Sequence, residues 1–386
     1  MNTQLKKISS QINSINKNQA LDLALRFFAV VALLYLFLVG VKVLGGSFKM
    51  MGSGFAQGLL DVSANPFLAL FSGMFATVLM QSSSVTTSII VGLVASGTLP
   101  LGGAIPMVMG ANLGTSVTNS LVSLGYLKNK QHFKKAFAAA TIHDFFNILT
   151  VSIMLPLELA TGVLEKTASF LATSLYGSAS GMKYSSPIKA SIKPFAKAIK
   201  VFITETLGLQ ANVAAIAMMV ASFILIVFAL TFIVKIMKVI VESNKGEIVE
   251  NLLSKNGYVS IGFGVLLTIA VQSSSITTSL LVPMAGAGVL TLRSILPVTI
   301  GANIGTTATA LLAALTGNVT GLAIALVHFL FNIAGMLIWF VNPKMRNIPI
   351  ILCEKLAELT LKNRFNGLAY ILSVFFIIPA LLTIIL

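Results

Sequence analysis

Acidic residues are scarce in this sequence. Its 386 residues hold 11 Asp and Glu against 26 Lys and Arg, and only 10% are charged while 56% are apolar. Soluble domains carry about a quarter charged residues, so a cytosolic globular enzyme is excluded at the outset. Cysteine is scarcer still. With Cys353 alone, the chain has neither an internal disulfide nor a multi-cysteine metal site, and that thiol is expected to pack. A formal charge of +15 would suggest nucleic acid in a soluble protein. Here the basic residues flank apolar runs, where they set membrane topology, and no nucleic-acid partner is expected. A mean hydropathy of +0.95 instead describes one polytopic domain in a lipid bilayer.

Ala211–Val234 and Asn318–Val341 run for 24 residues each without a charge, and Phe365–Leu386 for 22. Each exceeds the roughly 20 residues that cross a hydrocarbon core. Residues 136–160 form a further span interrupted by His143 and Asp144, and Phe27–Val41 reads as a retained helix, without a small-residue cleavage site. Residues 52–125 and 257–316 are different, being rich in Gly, Ser, Thr and Pro. Broken backbone is tolerated in a membrane only where protein or a cavity surrounds it, so these segments are expected to be broken helices or re-entrant hairpins. The organisation expected is a polar N-terminal segment (1–22), a first repeat (23–160), a soluble loop (161–209), a second repeat (210–343), and a basic loop with a C-terminal transmembrane helix (344–386).

The repeat is explicit. Gln81-Ser82-Ser83-Ser84-Val85-Thr86-Thr87-Ser88 returns as Gln272-Ser273-Ser274-Ser275-Ile276-Thr277-Thr278-Ser279, and Gly110-Ala111-Asn112-Leu113-Gly114-Thr115 as Gly301-Ala302-Asn303-Ile304-Gly305-Thr306. Both pairs are offset by 191 positions without a gap, and Thr77–Thr118 keeps 19 of 42 residues. His143-x-x-x-Asn147 echoes His328-x-x-x-Asn332 at a different offset, 185. Two copies of a broken-helix unit match the plan of secondary transporters, which bind substrate at the repeat interface near the midplane. The segments between the copies make inversion the expected relation. The fold class expected is therefore an all-α polytopic membrane protein with two inverted repeats.

Serine is a favoured N-cap, and a helix starting at each serine run would aim free N–H groups and its positive dipole end at a ligand. Two such ends with hydroxyls between them suit a small oxyanion. Asp61 is the only charged side chain between residues 50 and 127, and Arg293, in an expected turn, the only one between 257 and 343. A buried anion is costly without compensation, so co-bound cations are expected. Thr115, Thr118, Thr306, Thr309, Asn112 and Asn303 offer neutral oxygens that suit a hard monovalent cation, and Asp144 is the best intramembrane carboxylate. Small and hydroxylated residues also simply pack membrane helices; the matched duplication headed by glutamine favours binding. His143 and His328 read as buried hydrogen-bonders. Rival readings are a transporter of another small anion or polar solute, a channel, and an intramembrane serine enzyme. The last lacks a His, Lys or Asp within several residues of either serine run.

The paired Gln-Ser-Ser-Ser motifs at 81–84 and 272–275, the Gly-Ala-Asn-x-Gly-Thr blocks and His143-Asp144-Phe145-Phe146-Asn147 resemble the type II sodium-dependent phosphate cotransporters. The resemblance implies a symporter of inorganic phosphate driven by sodium, with no organic cofactor, whose two hairpin tips meet. It implies that Gln81, Ser82, Ser83, Ser84, Gln272, Ser273, Ser274 and Ser275 hold phosphate, and Asn112 and Asn303 are expected beside them. It assigns sodium to Asp144, Asn147, Thr306 and Thr309, and the neutral oxygens of Thr115 and Thr118 are expected to join that set. Tyr126 and Asn129 stand where animal members carry Gln and Asp, and Ala302 where they carry Ser. The missing paired cysteines and short termini imply a bacterial member in the cytoplasmic (inner) membrane.

Overall fold

The computed structural model of the chain describes residues 2–177, 187–242, 256–363 and 365–385, and their regular elements are all helical. Helix α1 (Asn2–Met50) carries a membrane-length apolar portion at Ala24–Met50. Helices α2 (Gly52–Ala64) and α3 (Pro66–Met80) meet at a bend of 111°. Asn65 makes this corner by accepting the N–H groups of Phe67 and Leu68 at 3.0 and 3.2 Å, while Pro66 opens α3 with no N–H to satisfy. The return helix α4 (Ser83–Ser96) ends at Gly97, whose φ of 79° turns the chain into α5 (Leu101–Thr115). A short α6 (Val117–Ser123) leads to α7 (Lys130–Thr161), capped by Asn129.

Two further helices, α8 (Val163–Gly177) and α9 (Pro187–Val201), precede α10 (Ala211–Glu242). The second hairpin consists of α11 (Gly257–Val271) and the return pair α12 (Ser274–Ser279) and α13 (Leu281–Gly286). Its Asn256 caps α11 as Asn65 caps α3, and its exit at Gly288 has φ 80°, each 191 positions on. Then follow α14 (Leu292–Ala314), α15 (Val319–Trp339), α16 (Pro343–Lys362), α17 (Phe365–Leu372) and α18 (Ile378–Ile385), the last two joined through a π turn at Ser373–Ile377.

The two repeats are inverted. From residue 292 to 314 the unbroken α14 rises about 34 Å at 1.5 Å per residue, so the α14–α15 turn lies on the face opposite the base of hairpin two, and the α6–α7 turn is its counterpart in the first copy. A Cβ on Gly286, at the base of hairpin two, would touch Tyr126 of that turn at 3.5 Å, and one on Gly288 would touch Lys135 at 3.1 Å. Reciprocally, Asn318 in the α14–α15 turn donates to the Ala95 carbonyl at the base of hairpin one, at 3.1 Å. Each hairpin base thus sits beside the far turn of the other copy. The pairing continues outside, where α8 packs on α15 and α16 on α7.

Within each copy the hairpin helix lies against the helix after it, α3 on α5 and α11 on α14. The glycines of the Gly-Ala-Asn-x-Gly-Thr block allow that approach. A Cβ on Gly110 would run into the Leu70 carbonyl oxygen, and one on Gly301 into that of Ile261; Gly114 and Gly305 face the Met74 and Val265 carbonyls at 2.5 and 2.7 Å. Their small-xxx-small spacing is close helix packing.

Three expectations change. Segment 161–209 is not a plain loop. Glu158 accepts the N–H groups of Leu164 and Glu165 at 2.6 and 3.1 Å and so starts α8 directly at the end of α7. The basic stretch after residue 343 is likewise helical, with Asn342 capping α16 and Cys353 buried against α7's side of the bundle. The two copies also break at different places, since α14 runs for 23 residues through Pro297 where the first copy breaks at Ser116, while the return of hairpin two breaks at Leu280 where α4 is continuous. Arg293 accordingly lies in the first turn of α14, behind a capping box of Thr291 and Ser294.

Candidate functional site

Each hairpin turns on a glutamine. Gln81 and Gln272 adopt left-handed backbone conformations, φ 52° and 55°, and among the described residues they are the non-glycine residues with positive φ. Such conformations persist where surroundings over-determine them, and here the side chains do so. Gln81 Nε2 donates back to the Val78 carbonyl and Gln272 Nε2 to that of Ile269, both at 2.6 Å. The other end of each amide is held by a threonine of its own copy. Thr118 Oγ1 donates to Gln81 Oε1 at 3.1 Å, and Thr309 Oγ1 to Gln272 Oε1 at 2.8 Å.

After the glutamine, Ser82 and Ser273 are extended residues whose hydroxyls accept the N–H of Val85 and Ile276 at 3.3 and 3.4 Å. The helices therefore begin at Ser83 and Ser274, inside the protein, and the first-turn N–H groups of Ser83 and Ser84 have no acceptor within their helix. The tips meet, with Ser84 Oγ donating to the Gln272 carbonyl at 3.4 Å. They are not equivalent in exposure, since Gln81 is exposed and Gln272 buried. Thr115 and Thr306 lie deeper, each donating to the carbonyl four residues back at 3.0 Å.

Below the tips the copies exchange amides. His143 Nε2 bonds Asn303 Oδ1 at 2.6 Å, and Asn303 Nδ2 donates to Asn147 Oδ1 at 2.7 Å. The mirror set has His328 Nε2 on Asn112 Oδ1 at 3.1 Å and Asn112 Nδ2 on Asn332 Oδ1 at 3.5 Å. Asn147 Nδ2 and Asn332 Nδ2 then reach the backbone carbonyls of Asn112 and Asn303 at 2.9 and 3.3 Å. The His-x-x-x-Asn echo is thus a second element of the repeat, and all six residues are buried. The amides of Asn112 and Asn303 are directed to protein partners across the inter-repeat boundary.

On one side this symmetry fails. Asp144 Oδ2 accepts from Ser120 at 3.3 Å and from the Tyr370 hydroxyl of α17 at 3.0 Å, while its buried Oδ1 has no hydrogen-bond partner. Asn119 joins His143 Nδ1 at 3.4 Å to the Thr278 and Ser279 hydroxyls of hairpin two, both at 3.0 Å. Sequence reasoning found Asp144 and missed Asn119, Ser120 and Tyr370. The signal for two of these was departure from the repeat, because the second copy places Ala310 and Leu311 at the positions of Asn119 and Ser120. Among the described residues no three His, Cys, Asp or Glu side chains come together as a polydentate metal site.

The sequence signature described as Na+/Pi-cotransporter matches residues 36–160 and 225–355, two blocks that bracket the two hairpins. The chain belongs to the Na+/Pi-cotransporter family. Among relatives of known name, sodium-dependent phosphate transport protein 2B of Homo sapiens is 32% identical over 92% of this chain and 64% of its own length. The 2A proteins of Rattus norvegicus and Mus musculus are 32% and 33% identical over 91% of this chain and 66% of theirs. The chain thus spans 64–66% of the length of these relatives. No solved structure matches it. The relatives matched are mammalian, which overturns the expectation of a bacterial member in a bacterial inner membrane. For this member of the Na+/Pi-cotransporter family, six helices among the described residues are long and apolar enough to cross a membrane, which describes an integral membrane protein.

Proposed function

We propose that the chain is a sodium-coupled secondary transporter that imports inorganic phosphate by alternating access, with phosphate held between the two Gln-Ser-Ser-Ser tips. The observation that carries this reading is the meeting of two helix starts, capped by Ser82 and Ser273, across the Ser84–Gln272 contact. First-turn N–H groups and the hydroxyls of Ser83, Ser84, Ser274 and Ser275 supply donors without a fixed positive charge. Asn112 and Asn303 support the site from below, through the amide exchange with His328 and His143.

Without lysine or arginine at the tips, cations neutralise the anion. Asp144 with Ser120 is one sodium position, and its unpartnered Oδ1 is a ready ligand. Thr118 beside Gln81 and Thr309 beside Gln272, with Thr115, Thr306 and Asn147, supply the neutral oxygens of the others. If three sodium ions accompany divalent phosphate, one net charge moves inward, a drive of about 2.3 kcal/mol per 100 mV.

The test is labelled-phosphate uptake into proteoliposomes under an inward sodium gradient, with potassium as control and sulfate and arsenate as competitors. Equal uptake with either cation sinks sodium coupling, and stronger competition by sulfate than by phosphate moves the substrate to another anion. Ser83→Ala and Ser274→Ala are each expected to raise the half-saturating phosphate concentration several-fold.

A further inference from the structure

Against Asp144 lies a cavity of about 210 Å³ between α3, α5, α7 and the C-terminal helices, lined by no residue of either Gln-Ser-Ser-Ser tip. Its floor is polar, with Asp144 and the buried Ser116. Its walls are apolar. Phe71 and Met74 come from α3, Ile148 and Val151 from α7, and Phe375 from the π turn. The rim is formed by Ser152 and Ile378, both exposed and both on helices of membrane length. The opening therefore faces the hydrocarbon of the bilayer, and no lysine or arginine lines it.

An apolar hollow that ends on a carboxylate is an unusual object in a membrane. Burying a charge in an apolar site is costly unless it is paired, and intramembrane carboxylates mark ligand or ion sites by default. Asp144 has 1% of its surface exposed, and one of its oxygens has no hydrogen-bond partner. The other oxygen is occupied by Ser120 and Tyr370. An anion is repelled by the carboxylate, and a hydrated cation such as sodium does not reach it along apolar walls. A ligand that does has an ammonium head and a short hydrocarbon tail. The π turn strengthens the case, since such bulges recur at functional sites and this one sets Phe375 into the wall.

We infer that this lateral cavity is a binding site for small lipophilic ammonium ions, which enter from the bilayer, pair with Asp144 and exclude sodium from it. The inference rests on the assignment of sodium to Asp144, and its test separates the two.

The probe is hexylammonium, with 1-hexanol as the uncharged control, on the full chain in detergent. In sodium-free buffer hexylammonium raises the thermal unfolding temperature saturably and hexanol at the same concentration does not. Asp144→Asn weakens the half-maximal concentration at least ten-fold. Val151→Phe and Ile378→Trp, which fill the cavity away from Asp144, abolish the shift and keep sodium-driven uptake. Equal shifts with hexanol overturn the inference, as does an undiminished hexylammonium shift in both filled variants. Added sodium raises the half-maximal hexylammonium concentration. If it does not, while the shift and its Asp144 dependence remain, the sodium assignment falls and the cavity stands. If sodium-driven uptake depends on Asp144 but hexylammonium gives no shift, the cavity inference falls alone.

Discussion

Replacing Asn303 with leucine keeps the branched heavy-atom skeleton of the side chain but removes both ends of an amide that two buried groups depend on. His143 Nε2, at 2.6 Å, loses its acceptor, and Asn147 Oδ1, at 2.7 Å, loses its donor. A buried polar group left unpaired costs about 1–3 kcal/mol, so Asn303→Leu is expected to destabilise the protein by about 2–6 kcal/mol. Asn112→Leu, at the mirror position, costs less. It strands His328 Nε2, whose bond is 3.1 Å, but its contact with Asn332 is 3.5 Å, at the outer limit of a hydrogen bond, and gives up little. The difference between the two variants is therefore about one unpaired group, or about 1–3 kcal/mol. Interhelical hydrogen bonds in membrane proteins have averaged only about 0.6 kcal/mol in double-mutant cycles. Scaling every term down by that measure shrinks the gap and leaves its sign. The assay is unfolding in mixed micelles with rising SDS, followed by the fluorescence of Trp339, the single, buried tryptophan. Equal losses in the two variants, or a larger loss in Asn112→Leu, would refute the reasoning from geometry.

Gly301→Ala places a methyl group against the Ile261 carbonyl and should cost about 1–3 kcal/mol, as overpacking does. Gly262→Ala, on α11 directly after Ile261, meets nothing within 4 Å and should gain about 0.5–1 kcal/mol, so their unfolding temperatures move in opposite directions. Tyr370→Phe removes one of two hydroxyl donors to Asp144 and is expected to raise half-saturating sodium in uptake assays while leaving half-saturating phosphate at saturating sodium near the native value. Cys353 is fully buried, donates to the Ile350 carbonyl at 3.0 Å, and has its thiol pushed well above the ordinary range by burial. Maleimide should label it slowly in the folded protein and rapidly after SDS.

What could be read from the residues follows from duplication. The Gln-Ser-Ser-Ser helix starts, the Gly-Ala-Asn-x-Gly-Thr packing and the His-x-x-x-Asn echo occur twice, and polar residues kept in register over 191 positions betray a shared local conformation. Even the hairpin caps, Asn65 and Asn256, stand at that offset. The unduplicated parts were hidden. Tyr370 lies 226 positions from Asp144 in a span with no charge to mark it. Helices α8 and α16 read as loops because charges, Glu165 and Lys166 in α8 and several in α16 together with Pro343 and Pro349, break the apolar runs that signal a span. Their helicity comes instead from caps, at Glu158 and Asn342, and from packing on α15 and α7. Gln81 and Gln272 were visible as polar heads, but their left-handed backbone was not, because nothing in a glutamine's chemistry favours positive φ.

The amide exchange also bears on how the chain is made. His143 and Asn147 emerge from the ribosome about 160 residues before Asn303, the partner that satisfies both. Until the second half is inserted, the first half holds bare hydrogen-bonding groups in a nonpolar environment, and hairpin one has no opposing tip. The first half is thus an unfinished client of the insertion machinery for the time it takes to synthesise the second. A chain truncated before α14 would leave that surface exposed and be a substrate for membrane quality control. Supplying the second half as a separate polypeptide should rescue it by completing the same bonds.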